Sequence, residues 1–512
     1  MNSTNAMTMS SGNAGWRVNA AIYLIVCATA ALMVVYGGIY VGRGPGWMDA
    51  PTLQLLLLLP VGLGAGALGY WVVLKRPTAG LLILVALLYT NASEIGVRRY
   101  GLPSTLQLLS FATAAGILFR LIPRGGRPGQ RFVFDPLFVP LALYGLVIFA
   151  SSLEAANIGL ADQRLSEILK GLLTFIVVTN LTRSELTLRR VVWALVLSGA
   201  FLATISVYQV ATHSLDQDFG GFGRTKIAEI VGESREPRIA GSLSDPNFYA
   251  QILVMLAPLA LYRLWDEPRL SRKLLAGYAL ATVTLAAVFT YSRGGAIALG
   301  IVLLLAMLQK RISLKYFLIG ALTLAPLTLV IPQSFGERLG TLTQLAPDEN
   351  SSAEGEDSSF RHRQMLMTVA LHMFEDHPVF GVGAGNYSEN YSEYANRMGM
   401  TQRSFENFGE PTFPHELYLQ IGAETGVVGL ISFFSIIAGT MASLLAAYRS
   451  FRGAGAIGSA NIVVSLGLAV AAFLLTSLFL HATYIYYLWL IVAIVAAARQ
   501  VGRRTLAGQH DE

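Results

Sequence analysis

The sequence is poor in cysteine and in charge. One cysteine, Cys27, stands among 512 residues, so no disulfide within the chain can brace an exported loop, and cysteine usage leaves the compartment open. Only 13% of the residues are charged while 54% are hydrophobic, and the mean hydropathy is +0.54. A water-soluble globule cannot hide that much apolar surface, so lipid has to be the solvent for most of the chain. Met1 to Arg17 lacks both a basic stretch and a small-residue cleavage pattern, so Trp16 to Val41 reads as a retained helix and not as a signal peptide. No internal repeat is present, nor a soluble domain of ordinary size. The formal charge of +6 does not imply a nucleic-acid partner, because the arginines are scattered between apolar windows, where membrane topology accounts for them.

Fourteen apolar windows start near residues 17, 51, 78, 104, 133, 163, 187, 245, 272, 293, 314, 415, 459 and 481. Crossing the hydrocarbon takes roughly 20 apolar residues as a helix. A barrel would alternate in segments of about 10, whereas Leu55 to Gly69 and Ile301 to Leu308 are apolar on every side. The expected fold is an all-α polytopic transmembrane bundle of 12–14 spans. Basic residues recur in alternate connections: Lys75 and Arg76; Arg120, Arg124, Arg127 and Arg131; Arg183, Arg189 and Arg190; Arg263, Arg269, Arg272 and Lys273; Lys310, Arg311 and Lys315; Arg449 and Arg452; Arg499, Arg503 and Arg504. The positive-inside rule makes that side, and both termini, cytoplasmic. Arg43, Arg98 and Arg99 depart from the pattern, which keeps twelve spans open.

Two connections are too long to be turns, and the alternation puts both outside the cytoplasm. They run from about Ala211 to Ser244 and from about Pro332 to Pro414; the second carries twelve Asp and Glu against five Arg. The chain therefore divides into N-terminal spans (1–130), a transmembrane core with outer loop 211–244 (131–332), a large periplasmic loop (333–414), and C-terminal spans with a cytoplasmic tail (415–512). Within the large loop, Asp348 to Ser359 reads as a mobile polar segment. Arg361 to His377 reads as an amphipathic helix with Met365, Leu366, Val369, Met373 and Phe374 on one face, ending before Pro378 and the turn Gly381 to Gly385.

Charges at the rim of a membrane need a reason to be there, and four outer segments supply them. Arg238 precedes Asp245-Pro246-Asn247, where Asp245 suits a helix N-cap with Pro246 at the first helical position; capping does not explain Arg238. Arg293 stands at the break Tyr291-Ser292-Arg293-Gly294-Gly295, where it either snorkels to headgroups or offers a planar fork of donors to a diphosphate. Arg363 opens the amphipathic helix, with Arg361 beside it as a solvated charge. His415 begins the run that carries Glu416 and, more than two turns on, Glu424; at a helix N-terminus the dipole disfavours its imidazolium. A lone interfacial histidine is usually structural, and only its company favours chemistry. Asp216-Gln217-Asp218 has the form of a metal-binding Asp-x-Asp but lies in a loop. Glu167 and Lys170, one turn apart, can pair and snorkel, or Lys170 can line a lipid-diphosphate path. Tyr484, Tyr486 and Tyr487 near His481 read as an interfacial aromatic belt.

These segments, from Arg238 to Ala250, at Ser292 to Gly294, from Arg363 through His377 to Tyr387, and from Pro414 through Glu424 to Gly426, resemble the O-antigen ligase and polymerase superfamily in order and spacing. The resemblance spans about residues 238 to 430. It implies a membrane glycosyltransferase using an undecaprenyl diphosphate-linked glycan, with no cofactor, nucleotide or essential metal. It implies that Arg238 and Arg293 hold the donor diphosphate, that Arg363 is the loop arginine, and that His415 is the catalytic base; Asp245, Asn247, Glu416, Glu424 and Lys170 are the residues expected to support them. Glu416 departs from the Asn or Ser usual in the family. The expected reaction is metal-independent, inverting transfer to a lipid A-core or other hydroxyl acceptor. A polymerase with the same donor chemistry, or a transporter of an anion or lipid-linked sugar, are the alternatives.

Overall fold

The computed structural model describes residues 76–121, 132–229, 235–311, 356–399 and 412–508. Fourteen α-helices are present in these residues: α1 (Pro77–Tyr89), α2 (Ala92–Tyr100), α3 (Thr105–Leu121), α4 (Phe138–Ser152), α5 (Ile158–Leu181), α6 (Glu185–Ala211), α7 (Pro246–Asp266), α8 (Leu270–Phe289), α9 (Arg293–Gln309), α10 (Glu356–Asp376), α11 (Tyr387–Arg397), α12 (Leu417–Gly453), α13 (Ile457–Thr476) and α14 (Tyr486–Leu506). Each of the eleven predicted windows within the described residues coincides with a helix. The windows near 17, 51 and 314, and Cys27, lie outside those residues. Five helices, α6, α7, α8, α12 and α13, are long and apolar enough to cross a membrane, and α1 with α2 makes a sixth if the pair, bent by 63°, is one span. The protein is an all-α, multi-pass membrane bundle.

Backbone polarity dictates this choice, since in lipid every N–H and C=O has to be satisfied within its own segment. What the helices bury follows from their position. α7 is the axis of the bundle: Ile252, Leu253, Val254, Met255 and Leu256 are fully buried, and it packs against α8, α13 and α9. α14 is buried from Tyr487 to Ala498 between α12 and α5. By contrast Leu143, Leu146 and Phe149 of α4, Leu169 of α5 and Ile431, Phe434 and Leu445 of α12 point outward. A water-facing surface does not carry such a band; a lipid-facing one does.

One end of the bundle is tied by polar contacts among the basic connections. Arg499 pairs with buried Asp135 at 2.8 Å, Arg504 donates to the carbonyl of Arg183, and Lys310 reaches Asp266, which also accepts from Asn461. The basic sets from Arg183, Arg263, Lys310 and Arg499 thus share one end. Arg99 does not, because α2 turns away from α1 and Arg99 pairs with Asp218 in the 211–244 connection. That partner explains why Arg99 departs from the charge pattern, and it also occupies the Asp-x-Asp carboxylate, which caps a short turn by accepting from the Gly220 N–H.

The opposite end holds three features that the sequence did not predict as built. The 211–244 connection contains an antiparallel hairpin, β1 (Arg224–Glu229) with β2 (Arg235–Gly241), in which Lys226 faces Arg238 and Thr225 faces Ile239. Glu356 to Ser359, expected to be mobile, begins α10. Tyr487, expected in an interfacial belt, is fully buried, with its ring 5.2 Å from that of Tyr89 and its hydroxyl donating to the Tyr89 carbonyl. α10 meets its expected pattern: Leu366, Val369 and Met373 are buried, packed with Tyr387, Tyr394 and Ala423 of α11 and α12.

Candidate active site

The site assembles where four chain segments meet the head of α7. Asp245 caps that helix, its carboxylate accepting from the Asn247 and Phe248 N–H groups at 2.7 and 3.4 Å, with Pro246 in the first turn. Two residues on, the Asn247 side-chain oxygen accepts from the buried Arg238 guanidinium at 3.1 Å. Arg238 also donates through Nε to the Thr290 carbonyl at 2.9 Å. A single guanidinium thus joins the hairpin, the head of α7 and the end of α8.

Directly after Thr290 the chain reverses through Tyr291, whose φ is 52°, and Ser292 caps α9 by accepting from the Gly295 N–H. Arg293 is therefore the first residue of α9, exposed at its head. Gly294 lets this turn approach the α13–α14 connection, since a Cβ there would lie 2.7 Å from the Phe479 ring. Arg363 of α10 completes the group. Burial and then the Arg293 cation hold its guanidinium below the ordinary value, and the Asp245 carboxylate opposes them. Two cations and a carboxylate thus share one field.

The segment around His415 is built by its own capping. Glu416 is the N-cap of α12, its buried carboxylate accepting from the Tyr418 and Leu419 N–H groups at 3.3 and 2.6 Å. Burial pushes that carboxyl up, against the two N–H groups that hold it down. His415 consequently lies one residue before the cap, not in the first helical turn, and has left-handed backbone geometry with φ of 51°. The expected neutralising action of the dipole is correspondingly weaker, because the effect falls off outside the terminal turn. Glu416 acts on the helix end; its departure from Asn or Ser substitutes one capping acceptor for another.

Glu424 sits deeper and holds the glycine turn. Its carboxylate accepts from the Gly385 N–H and the Gln420 amide, each at 2.8 Å, while the Ala423 and Glu424 carbonyls accept from Val382 and Gly383. Gly426, with φ of 66°, breaks α12 here; a Cβ on it would lie 2.2 Å from the Val379 carbonyl oxygen. Asn386 then bonds both ways to the backbone of Asn157, the cap of α5. Glu167 of α5 pairs with Arg164 at 3.0 Å and not with Lys170, which is exposed. Lys170 is thus outside this group.

One residue in the site escaped the sequence. His481, in the α13–α14 connection, has its ring 5.3 Å from that of His415, stacks on Phe413 at 4.1 Å, and meets the edge of Phe248 at 4.9 Å. Burial, His415 and Arg164 together hold its imidazole well below the ordinary histidine value. The signal available was its position: a second histidine at the head of an outer span end. Among the described residues, no three His, Cys, Asp or Glu side chains gather to hold a metal ion.

Hydrogen bonds join Arg238, Asn247 and Asp245 at the head of α7, ring contacts join Phe248, His481 and His415 there, and Arg363 feels Arg293 and Asp245 electrostatically. Arg361, whose side chain lies outside what is described, is not assigned. No curated protein matches the chain. The family model described as O-antigen ligase matches residues 250–434, a stretch holding Arg293, Arg363, His415 and Glu424, with Arg238 just before it and His481 beyond. That match, over the segments that build the site, makes residues 250–434 similar to the O-antigen ligase family.

Proposed function

We propose that this membrane enzyme transfers a glycan from undecaprenyl diphosphate to a hydroxyl of a lipid A-core acceptor at the periplasmic face of the inner membrane, with the basic end of the bundle in the cytoplasm. The observation that carries the reading is that Arg363 feels both the Arg293 cation and the Asp245 carboxylate at the head of α7, where Phe248 meets His481 and His481 meets His415. Like charges held together in a partly buried place are costly unless an anion joins them, and a diphosphate presents the oxygens that guanidinium forks match.

Chemistry follows from where charge develops. As the anomeric carbon–oxygen bond breaks, its electron pair passes to the leaving diphosphate, and fixed cations stabilise that charge where it forms. Arg293 and Arg363 serve this role directly; Arg238, bonded to Asn247 and Thr290, serves by fixing the two helix ends. His415 takes the acceptor proton as the new bond forms from the opposite face, so the anomeric centre inverts. Because the guanidinium groups carry the counter-charge, the reaction as proposed needs no divalent cation.

Purified protein in liposomes, given undecaprenyl diphosphate-linked glycan and lipid A-core, is expected to release free undecaprenyl diphosphate only when acceptor is present. His415→Ala is expected to slow that release by about 10²–10⁴, the range of general-base catalysis. Full activity of this variant sinks the assignment.

A further inference from the structure

Chemistry that uses His415 as a base requires one of its ring nitrogens to carry a lone pair toward the acceptor while the other holds the proton. In most histidine bases a second group fixes that arrangement by accepting a hydrogen bond from the proton-bearing nitrogen. Among the described residues, one neighbour that the fold brings to His415 is another imidazole. The two rings meet edge to face with centroids 5.3 Å apart and planes at 80°, a separation from which rotation of one ring brings facing nitrogens into hydrogen-bond reach.

Three observations mark His481 as placed there by construction. First, its connection is fastened on three sides. The Ser477 carbonyl accepts from the Leu417 N–H at 3.0 Å, Gln251 of α7 donates to the Thr476 and Ser477 hydroxyls at 2.9 and 3.1 Å, and the Ala482 N–H donates to Gln420 at 2.7 Å. Second, the ring is held between Phe413, stacked on it, and Phe248, which it meets edge to face. Third, its Nδ1 is buried without a hydrogen-bond partner among the described residues. A buried polar nitrogen left unpaired costs about 1–3 kcal/mol, and such groups are rare enough in folded proteins to call for an explanation.

We infer that His481 is the positioning partner of His415, accepting a hydrogen bond from the proton-bearing nitrogen of that ring during glycosyl transfer and thereby fixing which nitrogen faces the acceptor hydroxyl. The step balances without a further reactant. The acceptor hydroxyl gives its proton to the free nitrogen of His415, its oxygen bonds to the anomeric carbon, and the diphosphate leaves with the electron pair. The imidazolium so formed keeps its hydrogen bond to His481, which remains neutral because burial, His415 and Arg164 all disfavour its charged form. The inference rests on the reading of His415 as the base.

The test compares three variants in the liposome assay. His481→Phe preserves the stack on Phe413 and removes both nitrogens, whereas His481→Asn returns an acceptor oxygen near the place of Nδ1. The phenylalanine variant is expected to lower kcat about 10- to 100-fold with the KM for donor unchanged, and the asparagine variant to recover most of that loss. If His481→Phe does not survive size-exclusion chromatography, His481→Leu replaces it as the variant without nitrogen. Equal kcat for the asparagine variant and the variant without nitrogen, or transfer within twofold of wild type for the latter, overturns the inference. His415→Ala in the same assay separates the two claims: its inactivity beside an active His481→Phe defeats only the partner role, and its full activity defeats the reading of the base itself.

Discussion

At the scale of single residues, the surroundings of His481 make a prediction about acid that is independent of catalysis. Its folded-state value lies below that of the free imidazole, because burial, His415 and Arg164 disfavour the charge. The unfolded chain therefore binds the extra proton more readily, and the stability contributed by a neutral His481 is complete above about 6.5 and lost as pH falls. Each unit of acidification below that point removes up to about 1.4 kcal/mol. Thermal unfolding in detergent at pH 7 and pH 5 is expected to show a larger fall in Tm for wild type than for His481→Phe; equal falls would contradict it. The residue also shows where sequence reasoning stops. Arg238, Arg293 and Arg363 are legible as charges that an apolar chain does not place at span ends without cause. His481 beside Tyr484, Tyr486 and Tyr487 is indistinguishable from an interfacial aromatic group, and only the path of its connection, set by Gln251, Leu417 and Gln420, brings it to His415. Spacing is equally mute on Glu167, since Arg164 and Lys170 both lie one turn away; the Ala482 carbonyl, which accepts from Arg164, draws the arginine inward.

At the scale of elements, helix ends do most of the positioning, and here the sequence was informative. Asp245 and Ser292 read as caps or breaks from the chain alone, and each caps as read. His415 was placed one step too far along, because Pro414-His415-Glu416 offers two plausible starts and the Glu416 carboxylate decides between them by taking the N–H groups. The hairpin from Arg224 to Gly241 was missed because its inner face is short: Ile239 and Ala240 are buried against α7 and α6, too few positions to show alternation. The break in α12 makes the prediction proper to this scale. Gly426 holds left-handed backbone while the Pro378 carbonyl accepts from the Val427 N–H at 2.8 Å. Gly426→Ala puts a methyl against the Val379 carbonyl, so the glycine turn must leave α12. A loss of at least about 1–3 kcal/mol is expected, the range of overpacking, read as a lower Tm, together with faster proteolysis between Pro378 and Gly385. Unchanged cleavage would show that the turn does not depend on the break.

At the scale of the whole molecule, alternation of charge along the chain sorted the basic connections to one end, and the ties between Asp135 and Arg499, Arg183 and Arg504, and Asp266 and Lys310 agree with that sorting. What alternation does not convey is which helix is central. α7 contains Pro258 and begins at Pro246, features that read as interruptions, yet among the described residues it is the most enclosed candidate span. The Asp135–Arg499 pair gives the prediction here. Asp135 is fully buried and also accepts from Gln500, so Asp135→Ala strands a guanidinium between α4 and α14. A loss of about 3–5 kcal/mol is expected, seen as a fall in Tm, and Asp135→Ala with Arg499→Met is expected to recover much of it. No recovery in the double variant would mean that the two residues act apart.

A carboxamide has two unlike ends, and at Gln420 both are engaged. Its nitrogen faces the Glu424 carboxylate and its oxygen receives the Ala482 N–H, so one planar group rivets the glycine turn to the strip of chain that bears His481. Flipping that group would set oxygen against oxygen on one side and nitrogen against nitrogen on the other. The glycine turn and the connection that bears His481 are thereby made to keep the same register, and whatever levers one has to move the other as well.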